Sequence, residues 1–322
     1  MGLRPAALPA AAAALILACA LAACAGEPAG GARNAASGTS AAQSAPVTVS
    51  VDEDDGMFGF RKGYTAREMW VEHGGKRVYG VLYVPKGLDR PAPAVVCSHY
   101  FGGTHRASGE WAQLMAEAGY VAYAFDFCGG SAASRSTGET TECSILTEAA
   151  DLSAALDAVA ALDEVDAGSV FLLGQSQGGA VSAMVAAERP ADVAGLVLLY
   201  PAFSIHDEML ALFGSADAVP EEFDFWQRLG RVYAVDAINY DFYERIGAYS
   251  GPVQLFHGNA DGIVPLSYSE RAASLYTDVD FEVIVGAGHG FHGADQRHVA
   301  QRATAFVESI FRMRSDVERA VP

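Results

Sequence analysis

Positive charge is in short supply in this sequence. Lys and Arg together number 21 against 39 Asp and Glu, a formal net charge of −18 at pH 7. The acids are spread along the chain rather than gathered in one block. A surface of that sign repels phosphate backbones, so nucleic acid is excluded as a partner. Cysteine is scarce too, with five in the whole chain. No Cys and His spacing builds a zinc site, and no metal is expected. Internal repeats are absent, which argues against a solenoid or a propeller. Long hydrophobic runs are missing apart from one near the start. Pro5 to Ala20 is apolar and alanine-rich, yet too short and too weakly hydrophobic for a membrane span.

What is present at the start reads as an address. Met1 to Arg4 is a short basic segment, and the apolar run ends in "LAAC", Leu21 to Cys24. That box resembles the bacterial lipoprotein cleavage site, in which the cysteine becomes the lipidated first residue. The resemblance implies a signal peptide over 1–23, acylation of Cys24 and an extracytoplasmic protein held at the cell membrane by its lipid alone. A plain secretory signal and an uncleaved anchor are the alternatives. Residues 24–48 are mostly Ala, Gly and Ser, too poor in apolar surface to offset their ordering entropy, and form a flexible tether. One α/β domain is expected over 49–314, with a short tail at 315–322. Cys97, Cys128 and Cys143 remain in that domain. A Cys128–Cys143 disulfide suits an exported protein; small buried thiols are the other reading, above all for Cys97.

Within the domain, "REMWVEHGGKRVYGVLYVP" (67–85) alternates around a Gly-Gly turn and predicts a β-hairpin. "APAVVCSHY" and "YVAYAFDF" are nearly continuous apolar runs, as expected of strands covered on both faces. "SVFLLG", "VAGLVLLYP", "GPVQLFHG" and "DFEVIVGAG" continue the series. Helical spacing appears at 110–118, 146–162, 178–188 and 294–312. Strands alternating with helices imply a mostly parallel sheet with helices on both faces. The rhythm breaks at about 202–250, where aromatic, acidic and helical material without a buried strand predicts a lid over one end of the sheet.

The chemistry gathers at strand ends. "GQSQG" (174–178) satisfies G-x-S-x-G between a predicted strand and a predicted helix. A sharp turn there displays the Ser176 hydroxyl, and the following helix start offers unpaired N–H groups to a developing negative oxygen. A serine needs a base and an orienting acid. Asp261 follows the strand ending near His257, and His289 follows the last strand in "GAGHGF". The order Ser, Asp, His at successive strand ends nominates Ser176, Asp261 and His289 as catalytic. His292 is the near rival for the base, Asp236 and Asp241 for the acid; His257 reads as a packed core residue and His73 as a turn residue. For an oxyanion hole the amide of Gln177 is one donor, and Phe101, in the "SHYFGGT" loop, is the other.

Taken together, "SHYFGG", "FDFCGGS", "GQSQGG", "HGNADGIVP" and "GAGHGF" resemble the α/β-hydrolase superfamily, and within it the serine esterases related to bacterial cinnamoyl and feruloyl esterases. Dienelactone-hydrolase-like proteins are also similar, but carry cysteine where this chain has Ser176. The resemblance implies the α/β-hydrolase fold and a serine carboxylic-ester hydrolase. Ser176 is then nucleophile, His289 base and Asp261 orienting acid, with oxyanion donors Phe101 and Gln177 and no cofactor. One departure is Tyr100, where the family usually has glycine; a bulky side chain there threatens the Phe101 amide. The substrate expected is a small ester, hydroxycinnamoyl or another small acyl group. A serine peptidase of the prolyl-oligopeptidase type and an inactive surface binding lipoprotein are the competing readings. Composition and motifs do not fix the oligomeric state.

Overall fold

The computed structural model describes residues 63–320. The expected signal peptide, Cys24 and the tether lie outside the described residues, as does the expected start of the domain at 49–62. The chain begins with β1 (Tyr64–His73) and β2 (Lys76–Pro85), paired antiparallel. Gly74 and Gly75, with φ of 52° and 78°, take the left-handed turn that joins them. β3 (Ala92–Ser98), α1 (His105–Glu117), β4 (Val121–Phe125), α2 (Ile145–Ala160), β5 (Val165–Gln175), α3 (Gln177–Glu188) and β6 (Gly195–Leu199) follow. After the insertion come β9 (Val253–Gly258), α6 (Leu266–Ala273), β10 (Val279–Ile284) and α7 (Gly293–Ala320).

Eight strands form one sheet in the order β1-β2-β4-β3-β5-β6-β9-β10. The two pairings that involve β2 are antiparallel and the other five are parallel. Side chains on a strand alternate between faces, and the two cores follow that period. Ala94, Val96, Leu172, Leu196 and Leu198 point into one core with α2 and α3. Val95, Cys97, Phe171, Leu173, Val197 and Leu199 point into the other with α1 and α7. All eleven are fully buried, which is why these strands read as unbroken apolar runs. Helices thus cover both faces, as expected. β10 differs: it is an edge strand, half exposed, and Ile284 is its one buried residue.

The insertion holds α4 (Ile205–Phe213), β7 (Glu222–Phe225), β8 (Gln227–Gly230) and α5 (Arg231–Ile238). The small antiparallel hairpin β7–β8 was not anticipated. Four residues alternating acid and aromatic are too brief a pattern to distinguish a strand from a loop. Trp226 stands at its tip with φ of 59°. Ile205, Met209, Phe223, Leu229 and Tyr233 carry the insertion into the core shared by α2 and α3. Other ties fix it to the loop before α2. Thr140 Oγ1 donates to Arg228 O at 2.5 Å and Gln227 Nε2 to Gly130 O at 3.2 Å. A Cβ on Gly230 would meet Thr141 O at 2.0 Å, so only glycine allows this approach.

Two helix ends depart from the sequence reading. α1 starts at His105, five residues before the apolar spacing begins, because Thr104 caps it and the buried Ser108 and Gly109 carry no apolar signal. α7 runs to Ala320, through most of the segment expected as a tail. Cys97, Cys128 and Cys143 are free and buried. The expected option of a Cys128–Cys143 disulfide is therefore not realised: the Cys143 thiol instead donates to Glu148 Oε1 at 3.4 Å. No described helix is long and apolar enough to cross a membrane.

Candidate active site

β5 delivers Gln175 at its end and α3 begins two residues later, so Ser176 must turn the chain. It does so at φ 51°, ψ −118°, a conformation that residues with a side chain rarely adopt. Ser176 N donates to Leu199 O at 2.9 Å, anchoring the turn to β6. Small neighbours permit this. A Cβ on Gly178 would lie 2.4 Å from His99 O, so glycine is what lets α3 start against the β3 loop.

Asp261 sits in the loop after β9. Its Oδ1 accepts the amides of Ile263 and Val264 at 2.8 and 2.9 Å. Its Oδ2 lies 2.7 Å from His289 Nδ1, and His289 Nε2 lies 2.9 Å from Ser176 Oγ. A carboxylate only accepts, so Nδ1 carries the proton and Nε2 is left to accept from the serine hydroxyl. Burial opposes ionisation of Asp261. Hydrogen bonds from His257 and His289, the imidazole charge and the Ile263 amide outweigh it and hold the carboxyl well below the usual range. The Tyr200 ring packs edge-on against His289 at 4.8 Å, while its hydroxyl donates to Gln175 Oε1 at 3.2 Å.

The rivals fall elsewhere. His292 is exposed. Asp241 caps a short turn by accepting the Tyr243 amide at 2.8 Å. Asp236 lies on α5, in the insertion. His257 is fully buried, as read from the sequence, yet it does more than pack. Its Nε2 lies 2.9 Å from Val264 O and 3.2 Å from Asp261 Oδ2, and its Nδ1 lies 2.7 Å from Ser269 Oγ. A second histidine on the acid had no signal in the sequence beyond its four-residue spacing.

Among the described residues, no backbone carbonyl engages the amides of Phe101 or Gln177. The Phe101 loop is held from beneath by His99. Its Nδ1 donates to Tyr100 O at 2.7 Å and its Nε2 accepts the Phe127 amide at 3.2 Å. Burial pushes the His99 pKa down, which suits a ring that donates at one nitrogen and accepts at the other. Tyr100 does not fill the loop: its side chain is 43% exposed, and Gly102, at φ 69°, takes the left-handed turn.

Beside the loop, the Phe101 ring meets Phe225 at 5.9 Å, Trp226 at 6.4 Å and Tyr233 at 5.6 Å, all edge-on. Trp226 is 58% exposed and Tyr233 is buried. On α4, Glu208 accepts from Ser204 Oγ at 2.6 Å. Burial raises the Glu208 pKa, and the hydrogen bond from Ser204 and the charge of His289 oppose the rise.

Gln177 is engaged at both ends of its side chain. Tyr233 donates its hydroxyl to Gln177 Oε1 at 2.7 Å, and Gln177 Nε2 donates to Glu148 Oε2 at 2.7 Å. Glu148 is 2% exposed. Burial lifts its pKa to about 8, with Asp151 adding to the rise and the bonds from Gln177 and Cys143 opposing it. A further group gathers around Asp151, on the same helix as Glu148. Ligand atoms of His73, Cys128 and Asp151 fall within 4.8 Å of one another. They belong to β1, the loop after β4 and α2, so no spacing revealed them. Hydrogen bonds already join them: His73 Nε2 to Asp151 Oδ1 at 2.6 Å, and Cys128 N to Asp151 Oδ2 at 2.7 Å.

Known proteins give a consistent frame. The family model described as serine aminopeptidase, S33 matches residues 89–232, which include Ser176 and end before Asp261. No curated protein matches the chain. Among solved structures, Est1E from Butyrivibrio proteoclasticus, with ferulic acid bound, is similar at 23% identity and a TM-score of 0.69, over 76% of this chain and 99% of that one. Acetyl xylan esterase 1 from Thermoanaerobacterium sp. is similar at 17% identity and a TM-score of 0.59, over 81% and 88%. A monoacylglycerol lipase from Paleococcus ferrophilus is similar at 18% identity and a TM-score of 0.56, over 72% and 99%. The strand order with its covering helices is the α/β-hydrolase fold.

Proposed function

We propose that the protein is a serine hydrolase of carboxylic esters. The observation that carries this reading is the unbroken chain Ser176 Oγ–His289 Nε2–His289 Nδ1–Asp261 Oδ2, at 2.9 and 2.7 Å, on the tip of the β5–α3 turn. Ser176 Oγ attacks the ester carbonyl carbon while His289 Nε2 takes its proton. The carbonyl oxygen becomes negative between the amides of Phe101 and Gln177. The C–O bond breaks, and the alcohol leaves with the proton from His289. Water then repeats the sequence, releasing the acid and restoring Ser176. Asp261, held ionised, orients the ring and stabilises the imidazolium that forms in each half.

The acyl group is small and flat, a hydroxycinnamoyl or similar unit. Phe101, Phe225, Trp226 and Tyr233 make an aromatic wall beside the proposed oxyanion site, and ferulic acid in the fold relative Est1E supports an aromatic acid. Amide hydrolysis is the second reading, favoured by the serine aminopeptidase description of the matching model. The "LAAC" box supports a bacterial lipoprotein anchored through Cys24, outside the cytoplasm.

The test is p-nitrophenyl acetate turnover beside a matched amide. Ser176→Ala is expected to lose about 10⁴-fold or more in kcat. Fluorophosphonate labelling should disappear with it. Retained turnover removes the assignment, and faster amide than ester cleavage replaces it with the peptidase.

A further inference from the structure

Tyr233 reaches both residues assigned to the oxyanion hole. Its ring packs on the Phe101 ring at 5.6 Å, and its hydroxyl donates to Gln177 Oε1 at 2.7 Å. It is 1% exposed and belongs to α5 of the insertion, while Phe101 and Gln177 belong to the sheet scaffold. On the far side of Gln177 stands Glu148, from the first turn of α2, accepting Gln177 Nε2–H at 2.7 Å and the Cys143 thiol at 3.4 Å. Every polar end in this line has a partner. The polarity of the Gln177 amide is thereby fixed: its oxygen takes the phenol proton, and its nitrogen gives to the carboxyl.

We propose that Tyr233 and Glu148 are positioning residues that clamp Gln177 between the insertion and α2, so that seating of the insertion sets the geometry of the oxyanion donors. The inference rests on the hydrolase reading above. Gln177 is the first residue of α3, so its backbone N–H has no partner within the helix. What aims that N–H is the orientation of the residue, and the clamped side chain holds the orientation. Removing the phenol hydroxyl leaves the buried Gln177 Oε1 without a donor, and the side chain must turn to find one. The Tyr233 hydroxyl is occupied by Gln177, which separates this role from contact with substrate. A contact with substrate matters only to esters bearing a group that it meets. A clamp on the donors matters to every ester.

The test compares p-nitrophenyl acetate with a hydroxycinnamate ester in full-length protein. Tyr233→Phe keeps the ring and should lower kcat about tenfold on both esters, with KM within about twofold. Glu148→Ala should do the same. Combined, the two should cost little more than the worse single variant, because they break one line of contacts. Glu148→Gln keeps an oxygen for Gln177 Nε2–H and should recover most of the kcat lost in Glu148→Ala. If Glu148→Ala does not fold, Tyr233→Phe and Glu148→Gln carry the comparison. Wild-type kcat on acetate in Tyr233→Phe, with KM raised for the hydroxycinnamate alone, overturns the clamp and leaves the triad standing. Lower thermal midpoints with unchanged kcat overturn it equally, reducing the residues to packing. Wild-type turnover that survives Ser176→Ala overturns the hydrolase reading and the clamp together.

Discussion

Two buried carboxyl groups reach Ser176 by different routes, and their surroundings drive them in opposite directions. Asp261 acts through His289, and its carboxyl is held ionised by two imidazoles and the loop amides. Glu148 connects through Gln177, and burial drives its carboxyl towards the neutral form, with a pKa raised to about 8. The first is surrounded by donors from a loop. The second is closed in by α2, α3 and α5, with Gln177 and Cys143 as its donors and Asp151 adding like charge. Burial alone does not decide whether a carboxyl ionises; the donors that come with it do. One acid is thus held as a fixed negative charge, while burial pushes the other towards the neutral form.

This contrast can be broken most severely at the charged end. Asp261→Asn keeps the shape but allows the wrong His289 tautomer, and kcat is expected to fall about 10⁴-fold. A loss below tenfold in steady-state kinetics would mean that Asp261 does not orient the base.

The two groups also predict opposite dependence of stability on pH. The folded pKa of Asp261 is depressed, so its contribution is present above the unfolded carboxylate value and is lost as pH falls below about 4. The folded pKa of Glu148 is raised, so its contribution is complete below the unfolded value and declines as pH climbs towards about 8. Asp151, Cys143, Tyr233 and Gln177 are the polar groups around it, and none is a cation. Relative to wild type, Glu148→Gln should gain on the order of 3 kcal/mol between pH 5 and 8, read from urea midpoints. A difference that does not change with pH would put the Glu148 carboxyl in the ionised form throughout.

The smallest expected effect probes the second histidine on the acid. Ser269 supports His257, which touches Asp261 from inside the core. Ser269→Ala should cost about 1 kcal/mol of stability, with a kcat loss of about threefold or less. A much larger loss of kcat would make His257 a partner in catalysis rather than a support.

Much of this was legible in the chain. The buried strands announced themselves because both faces are covered; Ser176 and Asp261 follow two of them, and His289 follows the edge strand β10 in a glycine-rich loop. Phe101 and Gln177, the proposed oxyanion donors, follow the ends of β3 and β5. The Tyr233–Gln177–Glu148 line could not be. Its members come from three helices whose order in sequence says nothing of their contact, and a polar residue inside a helix looks solvated until the fold buries it. Glu148 is the clearest case: an acid in a first helical turn is what helix electrostatics favours anyway. The β7–β8 hairpin was hidden by brevity, whereas β10 was legible as a strand but not as a half-exposed edge. Tyr100 misled in the other direction, since its bulk faces solvent and Gly102 makes the turn.

The turn at Ser176 carries a consequence for what this scaffold can be made into. Its backbone angles suit glycine better than any residue with a Cβ. Heat resistance and reactivity therefore compete at a single position. An inert carrier built on this protein would take glycine at 176 and become sturdier by giving up its chemistry, whereas a working enzyme has to recover that endurance elsewhere in the molecule.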